Sequence, residues 1–171
     1  MNNNKIVALL LVTGLSSAVS AESVVSGTWQ LENPASAQGV IDDAIDGVVK
    51  EMNFFVRSIA RSRLEDEATV CRQWTLTESA ETFAFQCAQQ PSWQVAVSAS
   101  PTNLKGEDGR DIIAQYKATD TSRQATLISE RGERRYRWER QDERLIYRAT
   151  IVSEKLPKPL QWTLVYEKVA P

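Results

Sequence analysis

The sequence predicts a mainly β chain: one antiparallel meander closed into a barrel, with one long amphipathic helix inserted after the first strand. Three observations predict it. From Val70 almost to the C-terminus, apolar and polar residues alternate with period two. Between Pro34 and Leu64 the apolar residues recur instead at steps of three and four. The breaks between the alternating runs are short and rich in turn formers, which favours neighbours in sequence as neighbours in the sheet.

The chain opens with a different kind of segment. Lys5 precedes the apolar run Ile6-Val7-Ala8-Leu9-Leu10-Leu11-Val12, and Ala18-Val19-Ser20-Ala21 supplies small residues. This is the pattern of a cleaved secretory signal over 1–21, with a mature chain starting at Glu22. The run is shorter than the roughly 20 residues that span a bilayer, so no stable membrane insertion is expected. Residues 22–171 then form a single β-barrel domain in a periplasmic or secreted protein.

The first strand is expected over 24–31. Asn33-Pro34 starts a helix, Asn as the cap and Pro at the first helical position. Ile41, Ile45, Val48, Met52, Phe55 and Ile59 form its stripe, which predicts one helix over 34–64. Strands follow over 70–77, 82–87, 93–98, 111–118, 123–130, 134–140, 144–152 and 160–168, with 101–110 as a longer loop. Closing the meander into a ring removes its exposed edges, and the first strand can complete the ring beside the last. A two-sheet sandwich is the alternative.

Composition excludes several functions. The chain has no histidine, so the usual base near neutral pH, the usual metal ligand and every Ser-His or Cys-His arrangement are missing. Two cysteines are too few for a thiolate zinc cluster. No enzyme, metal or cofactor is expected. The formal charge of −2 argues against nucleic acid as a partner. Charge is uneven along the chain, however. Asp120 to Pro171 carries eleven Lys and Arg against eight Asp and Glu, and residues 22–119 carry eight against fourteen.

The two ends of the chain resemble those of calycins, the group of lipocalins and fatty-acid-binding proteins. Gly27-Thr28-Trp29-Gln30-Leu31 is similar to the Gly-x-Trp signature of their first strand, where the Trp closes one end of the barrel. Thr163-Leu164-Val165-Tyr166-Glu167-Lys168-Val169 resembles the last strand of fatty-acid-binding proteins, where an Arg-x-Tyr pair grips the ligand carboxylate. Tyr166 matches the Tyr, but Leu164 stands where the Arg should be. Those proteins carry a pair of short helices after strand one, against the single long helix expected here. Met52 to Arg61 and Leu156-Pro157-Lys158-Pro159-Leu160 also resemble small exported proteins of Gram-negative bacteria whose activity is undefined.

The resemblance implies binding of a lipophilic or amphiphilic small molecule in a barrel cavity. Candidate ligand-binding residues follow from strand parity and aromatic content: Tyr136 and Trp138 on one face, Trp162 and Tyr166 on the face of the last strand. Arg134 and Arg140 share the parity of Tyr136 and Trp138. Arg140, near a rim, and Arg148, with the parity of Ile146 and Val152, are the candidates for an anionic head. Asn53, Arg57 and Arg61 lie along one helix flank, suited to clamping an anion or to ordinary pairing. The competing class is a filled barrel that docks on, or inhibits, another envelope protein. A carboxylate-only enzyme is the third. A void of several hundred cubic ångströms would favour the first class, and a solid core with an exposed apolar patch the second.

Cys71 and Cys87 remain open. An oxidising compartment favours their disulfide. A four-residue turn at Glu78–Glu81 sets Cys71 against Ala88 and sends the thiols to opposite faces, whereas a three-residue turn sets Cys71 against Cys87.

Overall fold

A computed structural model describes residues 23–88, 90–106 and 108–170. The expected signal segment and its cleavage point lie outside these residues. The element order is β1 (Gly27–Leu31), α1 (Pro34–Val49), α2 (Phe54–Glu67), β2 (Gln73–Glu78), β3 (Thr82–Cys87), β4 (Trp93–Ala96), β5 (Thr102–Lys105), β6 (Asp111–Ala118), β7 (Ser122–Ser129), β8 (Gly132–Gln141), β9 (Arg144–Val152) and β10 (Leu160–Lys168). The ten strands form one antiparallel sheet in the order β4-β3-β2-β1-β10-β9-β8-β7-β6-β5. The ring closes as expected where the ends of the chain meet: Trp29 pairs with Lys168 and Leu31 with Tyr166. It is nearly complete, since β4 and β5, at the two ends of the strand order, are not paired with each other.

Side chains tie together the strands on either side of that gap. Glu78 of β2 accepts from Arg123 Nε of β7 at 2.8 and 2.9 Å and also from the Tyr116 hydroxyl of β6. Arg123 Nη1 donates to the carbonyls of Thr119 and Ser122 at 2.7 and 3.0 Å. Beside this clamp the Phe83 and Tyr116 rings pack with centroids 5.6 Å apart.

The helical segment departs from expectation in one respect: it is two helices. Asn53 takes an extended backbone (φ −57°, ψ 137°), and its side chain accepts from Phe55 N at 3.0 Å. Arg57 Nη2 donates to the carbonyls of Lys50 and Met52 at 2.9 and 3.0 Å, satisfying groups that the break leaves without helical partners. A good cap inside an apolar stripe therefore ends one helix and starts the next, which periodicity alone does not register. Asn33 precedes Pro34 as expected, yet its side chain makes no capping bond. α1 buries Ala37, Ile41, Ile45, Val48 and Val49 and packs against β10, while α2 packs against α1. Arg61 pairs with Asp46 and Glu65, so the flank of Asn53, Arg57 and Arg61 is used internally.

The barrel interior is filled by aromatic rings. Trp74, Phe83, Phe85, Trp138, Tyr147 and Tyr166 form one connected stack, with neighbouring centroids 4.9–6.5 Å apart. Trp29 is fully buried, and its Nε1 donates to Val25 O at 2.8 Å. The uneven charge of the two halves resolves into pairing between them: Arg123 with Glu78, Arg134 with Glu67, Arg144 with Glu32 and Lys158 with Glu51.

Candidate functional site at the barrel mouth

Three strands align their inward residues in level rows. Tyr136 of β8 lies opposite Ala149 of β9, which lies opposite Trp162 of β10. One row further in come Trp138, Tyr147 and Leu164, and beyond them Arg140, Leu145 and Tyr166. The outermost row, Arg134, Ile151 and Leu160, reaches the end of the barrel where α2 runs out. There, Trp74, Tyr136, Tyr147, Trp162 and Ile151 wall a cavity of about 60 Å³, with Glu67, Thr69, Gln90 and the two cysteines completing its rim.

The expected ligand contacts separate by depth. Tyr136 and Trp162 line the mouth. Trp138 and Tyr166 are fully buried below it as core. The Tyr166 hydroxyl donates to Cys71 O at 2.7 Å. Burial raises its pKa, offset in part by the neighbouring Trp74 indole. Arg140 sits at the opposite end of the β8–β9 ladder, where its Nε donates to Asp142 O at 2.9 Å. Arg148 is corrected outright. Leu145, Tyr147 and Ala149 are the buried set of β9, so Arg148 has the opposite parity and lies outside, level with Arg137 and Thr163. Arg134 is the arginine at the mouth, and it is paired with Glu67. Leu164, where the resemblance to fatty-acid-binding proteins calls for an arginine, is buried.

Sequence reasoning overlooked Tyr147 and the end of α2. The signal for Tyr147 was available in the run Leu145, Tyr147, Ala149, whose alternation is as regular as that of Ile146 and Arg148. The contribution of Glu67 and Thr69 depends on where the helix ends, and periodicity does not carry that.

Cys71 and Cys87 are bonded, with Cα atoms 5.6 Å apart. Neither expected register produces this. β2 and β3 are joined through a tight connection in which Ser79 N donates to Thr82 O at 2.8 Å, and Glu78 faces Phe83. That register sets Cys87 against Trp74. Cys71 precedes β2 and is free of the ladder's alternation, so it turns inward and reaches Cys87 across the mouth.

The outer face of α2 is the second unusual surface. Phe54 and Phe55 are 78% and 84% exposed, and Val56 and Ile59 are exposed beside them.

No protein-family model and no curated protein matches the chain. Solved structures do. A secretary abundant heat soluble protein from Ramazzottius varieornatus superposes with a TM-score of 0.53 at 10% identity, covering 87% of this chain and all of that one. A structure described as REP1-NXSQ fatty acid transporter superposes with a TM-score of 0.50 at 14% identity, covering 85% and 96% of the two chains. At these identities the likeness concerns the fold alone. With a nearly closed ten-stranded antiparallel barrel, its first strand beside its last and helices inserted after strand one, the chain has a calycin-like barrel fold.

Proposed function

We propose that the chain is a non-enzymatic binding protein of the bacterial envelope that takes a lipophilic or amphiphilic molecule at the mouth of its barrel, beside the end of α2. The carrying observation is the mouth cavity itself, walled by four aromatic side chains on β2, β8, β9 and β10. The fold supports the reading, since one of the similar structures is described as a fatty acid transporter. Size sets the terms of binding. A pocket that swallows a drug-sized ligand measures roughly 300–1,000 Å³, whereas this one holds about 60 Å³. It admits a head group or the end of a chain. A longer tail must lie outside or displace Tyr136 and Trp162, which makes entry slow.

A second reading is favoured by the exposed run Phe54, Phe55, Val56 and Ile59. A filled core with an exposed apolar patch is the outcome expected of a barrel that docks on another envelope protein, and the cavity of about 60 Å³ falls short of the several hundred cubic ångströms expected for burial of a whole ligand, which confines the first reading to a head group or chain end. One experiment addresses both. Native mass spectrometry of the protein purified from its own periplasm is expected to show a retained small amphiphile. A protein adduct of defined mass would favour the second reading instead. Bare protein, together with no change in tryptophan fluorescence across a panel of amphiphiles, would refute the first.

A further inference from the structure

The outer wall of the barrel carries a block of one-sided composition. Across β6 to β10 one outward row reads Lys117, Gln124, Arg137, Arg148 and Thr163, each directly opposite the next. The neighbouring row reads Gln115, Thr126, Arg135, Thr150 and Gln161. The two rows hold four cations and six amide or hydroxyl side chains, with no carboxylate and no apolar residue. Thr126 is buried, and the other nine are exposed or half-buried. Two carboxylates reach in from beside the block: Glu133 pairs with Arg135, and Glu139 takes one terminal nitrogen of Arg137 at 3.1 Å. Lys117 and Arg148 have no ion pair among the described residues. Arg137 and Arg148 stand directly opposite each other on paired strands, and like charges so placed destabilise a sheet.

We propose that this wall is a binding surface for an acidic polysaccharide, laid across the strands with its anionic groups on Arg137 and Arg148. The site is separate from the mouth and does not depend on the ligand read there. Arginine forks match the oxygens of carboxylates and phosphates, and an anion held by both guanidinium groups removes the repulsion that the free sheet carries. Extent decides for a polymer over a single ion. Strands about 4.8 Å apart make a five-strand row about 19 Å long and set the backbone of Lys117 about 10 Å from that of Arg137. One phosphate cannot reach across that distance. Gln and Thr side chains serve hydroxyl groups as donors and acceptors, and a sugar chain supplies hydroxyls along its whole length. A bilayer is entered by apolar side chains, and these two rows offer none.

Three probes separate the outcomes: an oligogalacturonate, a neutral malto-oligosaccharide of the same length, and phosphatidylglycerol vesicles. Binding to the unaltered protein is followed by its backbone amide resonances. Oligogalacturonate is expected to shift Arg137, Arg148 and Thr163, and to lose affinity as salt is raised. The neutral sugar is expected to bind at least about tenfold more weakly. Equal binding of the two sugars, binding of the vesicles in place of oligogalacturonate, or shifts that miss this wall would each overturn the proposal. Arg148→Gln supplies a second measurement. It is expected to weaken oligogalacturonate about tenfold and also to raise the melting temperature of the free protein, because the like-charge pair is gone. A lower melting temperature would make Arg148 a residue that serves the fold, and unchanged affinity would take it out of the site; either result overturns the proposal. The resonance map needs no variant, so its failure is decisive by itself.

Discussion

Glu78 shows how one carboxylate can hold two parts of a sheet. Burial on its own would raise its pKa. Hydrogen bonds from Tyr116 and Arg123, together with the charge of Arg123, outweigh that and hold it below its ordinary 4.5. Tyr116 is moved upward by burial and by the same carboxylate, so it stays a donor. A carboxylate with a depressed folded-state pKa contributes stability that is present above the unfolded value and is lost as pH falls through the folded one. The protein is therefore expected to lose stability below about pH 4.5, the ordinary carboxylate value. Glu78→Gln should cost roughly 2–3 kcal/mol at neutral pH by leaving Arg123 without its counter-charge, and should flatten the acid limb. Urea titrations of both proteins between pH 3 and 7 measure this. Parallel acid limbs would show that Glu78 is not the group responsible.

At the scale of elements, the helix pair makes a sharp contrast testable. Ile45 is fully buried in α1, while Ile59 of α2 is exposed. Ile45→Asp is expected to destabilise the protein by about 3–5 kcal/mol, because a charge enters a packed face, and Ile59→Asp by less than about 0.5 kcal/mol. Thermal melts of the two variants provide the check, and equal losses would mean that α2 also packs through that face. The apolar spacing from Ile41 to Ile59 looks uniform in sequence, yet its first half faces the core and its second half faces out. Asn53 interrupts the phase between them. β5 was hidden for a related reason. Thr102 to Lys105 offers only Leu104 as an apolar anchor, between Pro101 and Gly106, and as an edge strand it needs few inward residues. β9 and β10 were legible because each has one face buried and so keeps its alternation, as Trp162, Leu164 and Tyr166 do.

For the whole molecule, the disulfide ties the end of the helical segment to the third strand. It closes a loop with a sequence separation of 16, and a loop of that length is worth about 3 kcal/mol. Thiol titration of the unfolded, unreduced protein is expected to find no free thiol at Cys71 or Cys87, and reduction should lower the melting temperature. Two reactive thiols would overturn this. Placing the bridge from sequence was defeated by geometry outside the ladder, since Cys71 lies before β2 and does not share its parity. Depth in the candidate site was hard to read for another reason. Parity says which residues point inward, but only the neighbouring strands decide that Trp138 is core and Tyr136 is rim. The resemblance carried by the chain's two ends extended correctly to the barrel, because those ends are the strands that close it.

The pairing of Trp29 with Lys168 also bears on how the chain acquires its structure. β1 has two neighbours, one close in sequence and the other the last strand made, and α1 lies against that same last strand. During synthesis, which runs from the N-terminus, Ile41 and Ile45 emerge long before Leu160 to Lys168 exist to cover them. The ring cannot close until the ribosome has made β10. Contacts of such wide sequence separation slow folding, and an apolar helix face waiting for its cover is the kind of surface that chaperones hold. Maturation of this barrel thus waits on the nine-residue β10, which acts as its closing stave.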